Sequence, residues 1–179
     1  MDIEDHLLKD IKFLNSPNFN NRPEEKNISL IVVHSISLPP KEYGGNYVES
    51  FFLNKLCISD HEYFKRIKDL KVSPHLYIKR DGVLIQFVPF NKRAWHAGES
   101  NFKGVPDCNN YSIGIELEGS EDDFFSQEQY SALILVTKAI IKKYPLIKKE
   151  NIAGHSDISP GRKKDPGAYF DWNLYLGSL

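Results

Sequence analysis

Two histidines and one aspartate are the residues of this sequence whose types could together bind a metal ion. His34 ends the apolar run ISLIVVH, His155 ends the short run NIAGH, and Asp165 follows ten residues later in a loop that contains proline and glycine. Two imidazoles and one carboxylate give Zn²⁺ three protein ligands and leave a fourth position for water, which is typical of catalytic zinc sites. The spacing alone also fits two hydrogen-bonded histidines at strand ends and a solvated loop aspartate.

The segments that contain the two histidines predict how they are positioned. Residues 28–34 and 151–155 are short apolar runs, and the first is rich in β-branched residues, which favours buried strands that end at the histidines. In SIGIELEG, apolar residues alternate with Gly114, Glu116 and Glu118, so this strand has one apolar face and one acidic face.

Two further patterns indicate a hairpin and a helix. Asp81-Gly82, a dipeptide favoured in type I′ turns, joins HLYIKR to VLIQFVP and predicts a β-hairpin. Ser126 and Gln129 form a capping-box pattern, apolar residues follow at helical spacing, and Pro145 ends the helix. Strands that alternate with helices and include one hairpin predict an α/β fold with a central mixed β-sheet flanked by α-helices.

Length and composition indicate one globular domain. The chain has 179 residues, of which 41% are hydrophobic and 26% charged, so disorder is excluded and residues 1–179 form a single predicted domain. Residues 1–26 are polar and contain asparagines and prolines, which predicts an irregular N-terminal arm. Two cysteines, Cys57 and Cys108, are too few for a disulfide framework.

Charge and hydropathy exclude several classes of partner. The net charge of -1 gives no general attraction to nucleic acid or to an anionic membrane. The longest apolar stretch, residues 133–141, is shorter than the roughly 20 residues that a membrane helix needs, and the N-terminus lacks the basic start and apolar run of a signal peptide. We therefore expect a cytoplasmic protein that binds neither nucleic acid nor membrane, and we expect a monomer.

Five segments that run in order along most of the chain resemble the AmpD family of N-acetylmuramoyl-L-alanine amidases. They are VVHSISLPPKEYGG, HLYIKRDG, FVPFNKRAWHAGES, CNNYSIGIELEG and GHSDISPGRKKDPGAYFDW. The resemblance implies zinc-dependent hydrolysis of 1,6-anhydro-muropeptides during cell-wall recycling. It also implies the fold of peptidoglycan recognition proteins and phage lysozyme-type amidases, in which zinc lies in a groove at one end of the sheet.

The resemblance also implies the roles of individual residues. It places the zinc ligands at His34, His155 and Asp165, the catalytic glutamate at Glu116 and the catalytic lysine at Lys163. In these roles the glutamate accepts a proton from the attacking water and passes it to the departing amine, and the ammonium faces the developing oxyanion.

Alternatives to these two catalytic roles follow from the sequence around each residue. Glu116 would otherwise be an exposed strand carboxylate beside Glu118, which is the second candidate for the base. Lys163 would otherwise be a solvated loop charge between Arg162 and Lys164.

Four residues are candidates for substrate binding. Trp95 and His96 lie in the segment that lines the groove in the family, where the indole could stack on a sugar or a stem peptide, and Tyr63 is a further groove candidate. Arg162 could hold a stem-peptide carboxylate. Trp95 could instead be a packing residue and His96 a hydrogen-bonded loop histidine. His75 fits either support of a metal ligand or an ordinary buried histidine.

The chain departs from the family pattern before the acidic strand and after the first histidine. Val105 and Asp107 occupy positions where many relatives have arginine, and Ser35 stands where asparagine is common. The aspartate would repel an anionic stem peptide, so how its carboxylates are held is open at this stage; Arg162, Arg93 or Lys103 could substitute for the missing arginines.

The function predicted from these observations is hydrolysis of the bond between the lactyl group of anhydro-N-acetylmuramic acid and L-alanine. Two alternatives remain at this stage. One is an exported amidase that acts on intact peptidoglycan, and the other is a recognition module that binds muropeptides without cutting them.

Overall fold

A six-stranded mixed β-sheet forms the centre of the molecule, which a computed structural model describes over all 179 residues. The strands are β1 (Ile3–Glu4), β2 (Leu7–Leu8), β3 (Lys12–Phe13), β4 (Phe19–Asn21), β5 (Leu30–Ile36), β6 (Leu76–Ile78), β7 (Leu84–Gln86), β8 (Lys92–Ala94), β9 (Asn101–Phe102), β10 (Val105–Pro106), β11 (Ser112–Glu118) and β12 (Ile152–Gly154). The helices are α1 (Tyr47–Phe52), α2 (Phe64–Ile67), α3 (Gln127–Lys143), α4 (His155–Ile158) and α5 (Trp172–Gly177).

The order of strands in the central sheet is β12-β5-β11-β6-β7-β3. The first four strands are parallel, β7 is antiparallel to β6, and β3 is parallel to β7. Because the carboxyl ends of β12, β5 and β11 lie at one edge, residues at the ends of these strands are brought together from distant parts of the chain. The predicted α/β fold with a mixed sheet and flanking helices is confirmed.

Helices cover both faces of the sheet. Helix α3 packs on the face that carries Ile31, Ile113 and Leu117, within a buried cluster of 21 apolar residues. Helices α1 and α2 cover part of the opposite face, where Tyr77 and Phe87 belong to a second cluster of 11 residues. None of the helices combines the length and the apolar character needed to cross a membrane. The two cysteines are free.

Helix α3 begins where the capping pattern predicts. Gln129 donates its backbone N–H to Ser126 Oγ at 3.1 Å, and Ser126 donates its own N–H to Gln129 Oε1 at 3.0 Å. This reciprocal pair satisfies two donors that the helix itself leaves free. The helix ends at Lys143, two residues before Pro145, as the sequence predicts.

The predicted hairpin is formed by β6 and β7, but its turn is not type I′. Gly82 donates its N–H to Lys79 O and Lys79 donates to Val83 O, each at 2.9 Å. Of the central dipeptide only Gly82 has a positive φ, of 82°, whereas a type I′ turn needs positive values at both positions. The loop is therefore longer than two residues, and Gly82 supplies its single left-handed conformation.

The N-terminal arm contains more regular structure than its composition predicts. Residues 1–26 contribute four strands of two or three residues each. Strand β3 extends the central sheet by pairing with β7, and β4 pairs with β8. Strands this short have no periodicity that a sequence pattern could detect, and their pairing is set by the sheet on which they lie.

Arg22, near the end of this arm, is only 6% exposed and has no acidic partner. Its guanidinium donates to the carbonyls of Phe90 at 3.1 Å, of Asn109 and Asn110 at 3.1 Å each, and of Ser112 at 2.7 Å. Burial lowers the pKa of Arg22 to about 10, so the group remains charged at neutral pH. One buried cation thus joins the arm to the start of β11.

Replacement of Arg22 by Met should lower the free energy of unfolding by about 2–4 kcal/mol, because several buried carbonyls lose their donor at once. Urea denaturation followed by circular dichroism measures this change. Arg66→Met is the matched control, since Arg66 is exposed and its side chain makes no hydrogen bond. Equal stability of the two variants would show that the arm is not held by Arg22.

Candidate metal centre

Three side-chain atoms from three separate segments converge at the carboxyl edge of the sheet. His34 Nδ1 lies 2.9 Å from His155 Nδ1 and 3.2 Å from Asp165 Oδ2, and His155 Nδ1 lies 3.0 Å from the same carboxylate oxygen. Both histidines are buried and Asp165 is partly exposed. The three sequence-predicted metal ligands are therefore brought together, and the interpretation of two unrelated histidines and a solvated aspartate does not describe this arrangement.

The parallel pairing of β5 with β12 explains why the two histidines meet. His34 lies two residues before the end of β5, and His155 directly follows β12 as the first residue of α4. The Asp165 loop returns to this point because Ser156 donates its N–H to Asp165 O at 2.9 Å. Gly154 permits the approach, since a Cβ there would lie 2.9 Å from Pro166 Cδ.

The outer ring nitrogens of both histidines are also engaged. His155 Nε2 lies 3.0 Å from Ala97 O, which can only accept, so a hydrogen on Nε2 has a partner there and leaves the Nδ1 lone pair for a metal. His34 Nε2 faces His96 Nδ1 at 2.9 Å. Such contacts orient histidine ligands and fix which nitrogen is free.

The electrostatics of the three groups suit a cation. Burial, then the proximity of His155, lowers the pKa of His34 to about 4, so its imidazole is neutral at pH 7. Two imidazole nitrogens and a carboxylate oxygen are a donor set that zinc accepts.

Glu116 and Glu118 lie on the same face of β11 but have different surroundings. Glu116 pairs with His34 of β5, and its buried Oε2 has no hydrogen-bond partner. Burial, then the charge of Asp165, raises the pKa of Glu116 well above its usual value, and Lys163 opposes this shift. The alternative that Glu116 is an ordinary exposed carboxylate is wrong.

Glu118, in contrast, is fully committed to backbone donors. It is buried, and it accepts from Gly44 N at 2.6 Å and from Arg80 N at 2.9 Å. It therefore joins the loop after β5 to the β6–β7 hairpin. With both oxygens occupied, Glu118 lacks the free carboxylate oxygen that a proton acceptor requires.

A cleft of about 540 Å³ opens beside the converging atoms, and His155 and Asp165 are part of its lining. One part of its wall is apolar and is formed by Leu38, Phe51, Phe52, Ile67, Leu70 and Val72. The part nearer the metal centre is polar and includes Glu116, Lys163 and Lys164. Of the predicted substrate-binding residues, Tyr63, His96 and Arg162 lie in this lining. Arg162 Nη2 also donates to Ala97 O and Glu99 O, at 2.6 Å each, and so fixes the neighbouring loop.

Two of the predicted substrate-binding residues, Trp95 and His96, have different environments. Trp95 is not part of the cleft lining, and its indole Nε1 donates to Asn20 Oδ1 of the N-terminal arm at 2.8 Å. His96 reaches the cleft but is only 8% exposed, and its ring nitrogens contact His34 and Ser112. Trp95 is thus partly exposed and hydrogen-bonded to the N-terminal arm, and the hydrogen-bonded interpretation describes His96.

Of the residues at the departures from the family pattern, Ser35 lines the cleft, whereas the two before the acidic strand lie outside it. Val105 and Asp107 do not line it, so the aspartate is not part of the wall that a ligand there would meet. Arg93 donates to Asn110 Oδ1 at 2.6 Å, and Lys103 donates to Glu150 O at 2.8 Å, both away from the cleft. Of the candidate cations, only Arg162 borders it.

Sequence analysis did not identify the environment of Gly114 or of His75. A Cβ at Gly114 would collide with the ring of His96, so the glycine makes room for that histidine. A glycine inside an otherwise regular strand is a known indication of such a close approach. His75 accepts from Gly114 N at 3.0 Å and faces Lys92 O at 3.0 Å, so it is a buried structural histidine without contact to the metal centre.

Comparison with known proteins gives consistent matches over most of the chain. The sequence model of the N-acetylmuramoyl-L-alanine amidase family matches residues 24–168. Over 178 residues the chain is 52% identical to the 1,6-anhydro-N-acetylmuramyl-L-alanine amidase AmpD of Haemophilus influenzae, an alignment that covers 99% of this chain and 97% of that protein.

Solved structures of amidases also share the fold of this chain. The crystal structure of a selenomethionine derivative of AmpD has a TM-score of 0.97 at 44% identity and covers 100% of this chain and 99% of the other. The amidase AmiD of E. coli, in complex with the substrate anhydro-N-acetylmuramic acid-L-Ala-D-γ-Glu-L-Lys, has a TM-score of 0.64 at 30% identity over 85% of this chain and 57% of AmiD.

The different hydrogen bonding of Glu116 and Glu118 predicts different effects of their substitution on stability. Glu118→Gln should lower the free energy of unfolding by about 1–3 kcal/mol, because an amide offers one acceptor where two backbone donors need one each. Glu116→Gln is the matched control and should cost less or nothing, since its buried Oε2 has no partner to lose. Denaturant titration measures both, and the opposite order of stabilities would contradict the assignment.

Proposed function

Because this chain belongs to the AmpD family of N-acetylmuramoyl-L-alanine amidases, we propose that it is a zinc enzyme acting on 1,6-anhydro-muropeptides. It hydrolyses the amide bond between the lactyl group of anhydro-N-acetylmuramic acid and L-alanine, and so releases the stem peptide. The observation that carries this proposal is the convergence of His34 Nδ1, His155 Nδ1 and Asp165 Oδ2 within 3.2 Å of one another beside an open cleft.

The three converging atoms would hold the metal. When bound, zinc lowers the pKa of a coordinated water to about 7 and polarises a carbonyl oxygen. His34 and His155 supply imidazoles whose outer nitrogens have partners, and Asp165 supplies the one negative charge. Since the cleft opens beside them, a substrate carbonyl can reach the same point.

Glu116 is the general base in this proposal. Its Oε2 is buried, has no hydrogen-bond partner and belongs to the residue beside His34 in the adjacent strand. The carboxylate accepts one proton from the attacking water and later delivers it to the nitrogen of L-alanine, so the C–N bond breaks as an amine leaves. A raised pKa, caused by burial and by the charge of Asp165, favours a group that must both accept and donate a proton.

Lys163 is the proposed electrostatic stabiliser of the oxyanion. It is exposed on the cleft wall, two residues before Asp165, and its charge opposes the rise in the pKa of Glu116. A cation at this position favours the negative charge that develops on the substrate carbonyl oxygen. The same charge would also attract an anionic stem peptide into the cleft.

The substrate-binding part of the proposal uses the two kinds of wall in the cleft. The apolar wall suits the non-polar parts of the ligand, whereas Arg162, Lys163 and Lys164 form a cationic rim that suits stem-peptide carboxylates. AmiD of E. coli was solved with an anhydro-N-acetylmuramic acid peptide, which is a ligand of this chemistry. Action in the cytoplasm, on soluble recycling products and as a monomer, completes the proposal.

Substitution of the proposed base and of one proposed ligand should give distinct results. Glu116→Ala should lower kcat by about 10²–10⁴-fold with zinc still bound, because general base catalysis contributes a factor of this size. Asp165→Ala should abolish hydrolysis and also weaken zinc binding. Steady-state assays together with metal analysis of the purified variants separate the two effects.

Two outcomes of these measurements would contradict the roles. An active Glu116→Ala variant would transfer the base to another group. A wild-type protein that holds well under one zinc per chain and does not hydrolyse muropeptides would instead support a recognition module that binds without cutting.

The substrate assignment can be tested by comparing hydrolysis of soluble anhydro-muropeptides with hydrolysis of intact peptidoglycan. Wild-type enzyme should release peptide from soluble anhydro-muropeptides and much less from insoluble sacculi, with the products measured by liquid chromatography and mass spectrometry. The Glu116→Ala variant is the control for contaminating hydrolases. Cleavage restricted to sacculi would support the exported amidase that acts on intact peptidoglycan.

A further inference from the structure

His96 connects the metal centre to the interior of the sheet. Its Nδ1 lies 2.9 Å from His34 Nε2, and its Nε2 lies 3.0 Å from Ser112 Oγ. The two rings meet edge to face with centroids 5.0 Å apart. Because His96 is only 8% exposed, solvent offers little replacement for either contact.

The direction of the hydrogen bonds along this chain decides whether His34 can bind a metal. If His34 Nε2–H donates to His96 Nδ1, then His34 Nδ1 carries a lone pair toward His155 and Asp165. If His96 Nδ1–H donates to His34 Nε2 instead, a neutral His34 carries its hydrogen on Nδ1, where a metal would bind. Only the first direction is compatible with metal binding, and in it His96 Nε2–H donates to Ser112 Oγ.

The strand beneath His96 is built to accept its ring. Gly114 lies between Ser112 and Glu116 on the same face of β11, and any Cβ there would collide with the imidazole of His96. The backbone of His96 is held independently, because Asn109 Oδ1 accepts from His96 N at 3.1 Å and from Ala97 N at 2.9 Å. Both the ring and the backbone of His96 are thus fixed.

We propose that His96 is a positioning residue for the metal centre, which keeps the hydrogen of His34 on Nε2 and thereby directs the Nδ1 lone pair toward the ion. Ser112 accepts the next hydrogen bond, and Gly114 provides the space for the ring. This inference rests on the proposed function, since it concerns the ligand set assigned there. It replaces the substrate-binding role that sequence analysis predicted for His96.

Zinc affinity measured by competition with a chromophoric chelator tests the proposal. His96→Phe keeps the ring volume but removes the acceptor, and should weaken zinc binding by about 10–100-fold, the usual effect of losing a partner of a histidine ligand. His96→Asn should restore most of the affinity, because Oδ1 of asparagine can occupy the position of the histidine Nδ1 and accept from His34.

A second pair of variants tests the space beneath the ring. Gly114→Ala should also weaken zinc binding, because the added methyl group displaces His96. Gly177→Ala is the matched control, since a Cβ there has no atom within 4 Å. Tyr175→Phe, which loses a buried hydrogen bond to Thr137 of 2.7 Å on the other side of the sheet, is a control for stability loss alone and should bind zinc like the wild type.

A spectroscopic measurement on the zinc-loaded wild type locates the ring hydrogens directly and does not depend on the folding of a variant. Nitrogen-15 spectra of the histidine rings should show the hydrogen of His34 and that of His96 both on Nε2. A hydrogen on His96 Nδ1, or wild-type zinc affinity in His96→Phe, would overturn this inference and leave the proposed function intact. Absence of zinc binding in the wild type would overturn the proposed function itself.

Discussion

Three electron-rich atoms held about 3 Å apart in a largely buried site are the central constraint on this molecule. When both histidines present the Nδ1 lone pairs that metal binding requires, these and the carboxylate repel one another, and burial removes most of the solvent that would otherwise reduce the repulsion. A cation converts this unfavourable cluster into a favourable one. The surrounding fold must therefore hold the three groups in place whether or not a metal is bound, and it does so through backbone pairing and contacts to the outer nitrogens.

The parallel register of β5 and β11 distributes different roles over one strand face. Glu116 lies opposite His34 and has a buried oxygen without a hydrogen-bond partner. Both oxygens of Glu118, two residues further, accept hydrogen bonds from backbone donors. An unpartnered buried carboxylate oxygen lowers stability, and such local costs are typical of sites where a group must remain free to react. Glu118 contributes the opposite effect at the same edge, since it secures the loops that border the cleft.

Much of the fold can be predicted from local sequence patterns, but the contacts and roles of the individual site residues cannot. Helix α3 could be predicted because its capping residues and its apolar spacing agree, and β5 because its apolar run is continuous. Period-two alternation predicts that Glu116 and Glu118 share a face, yet it cannot say which one meets backbone donors, because Gly44 and Arg80 come from distant loops. The same limit explains Trp95, whose partner Asn20 lies in an arm with only very short strands.

The N-terminal arm is coupled to the metal centre through the backbone of β11. Arg22 donates to Ser112 O, and Ser112 Oγ contacts the ring that supports His34. Gly114, two residues on, both donates its N–H to His75 and leaves room for His96. A shift of β11 at this point would therefore change the contact between His96 Nδ1 and His34 Nε2, although β11 contributes none of the three proposed metal ligands. The arm is distant from most of the proposed catalytic residues in the sequence, but it helps to position β11, which carries Glu116 and contacts His96.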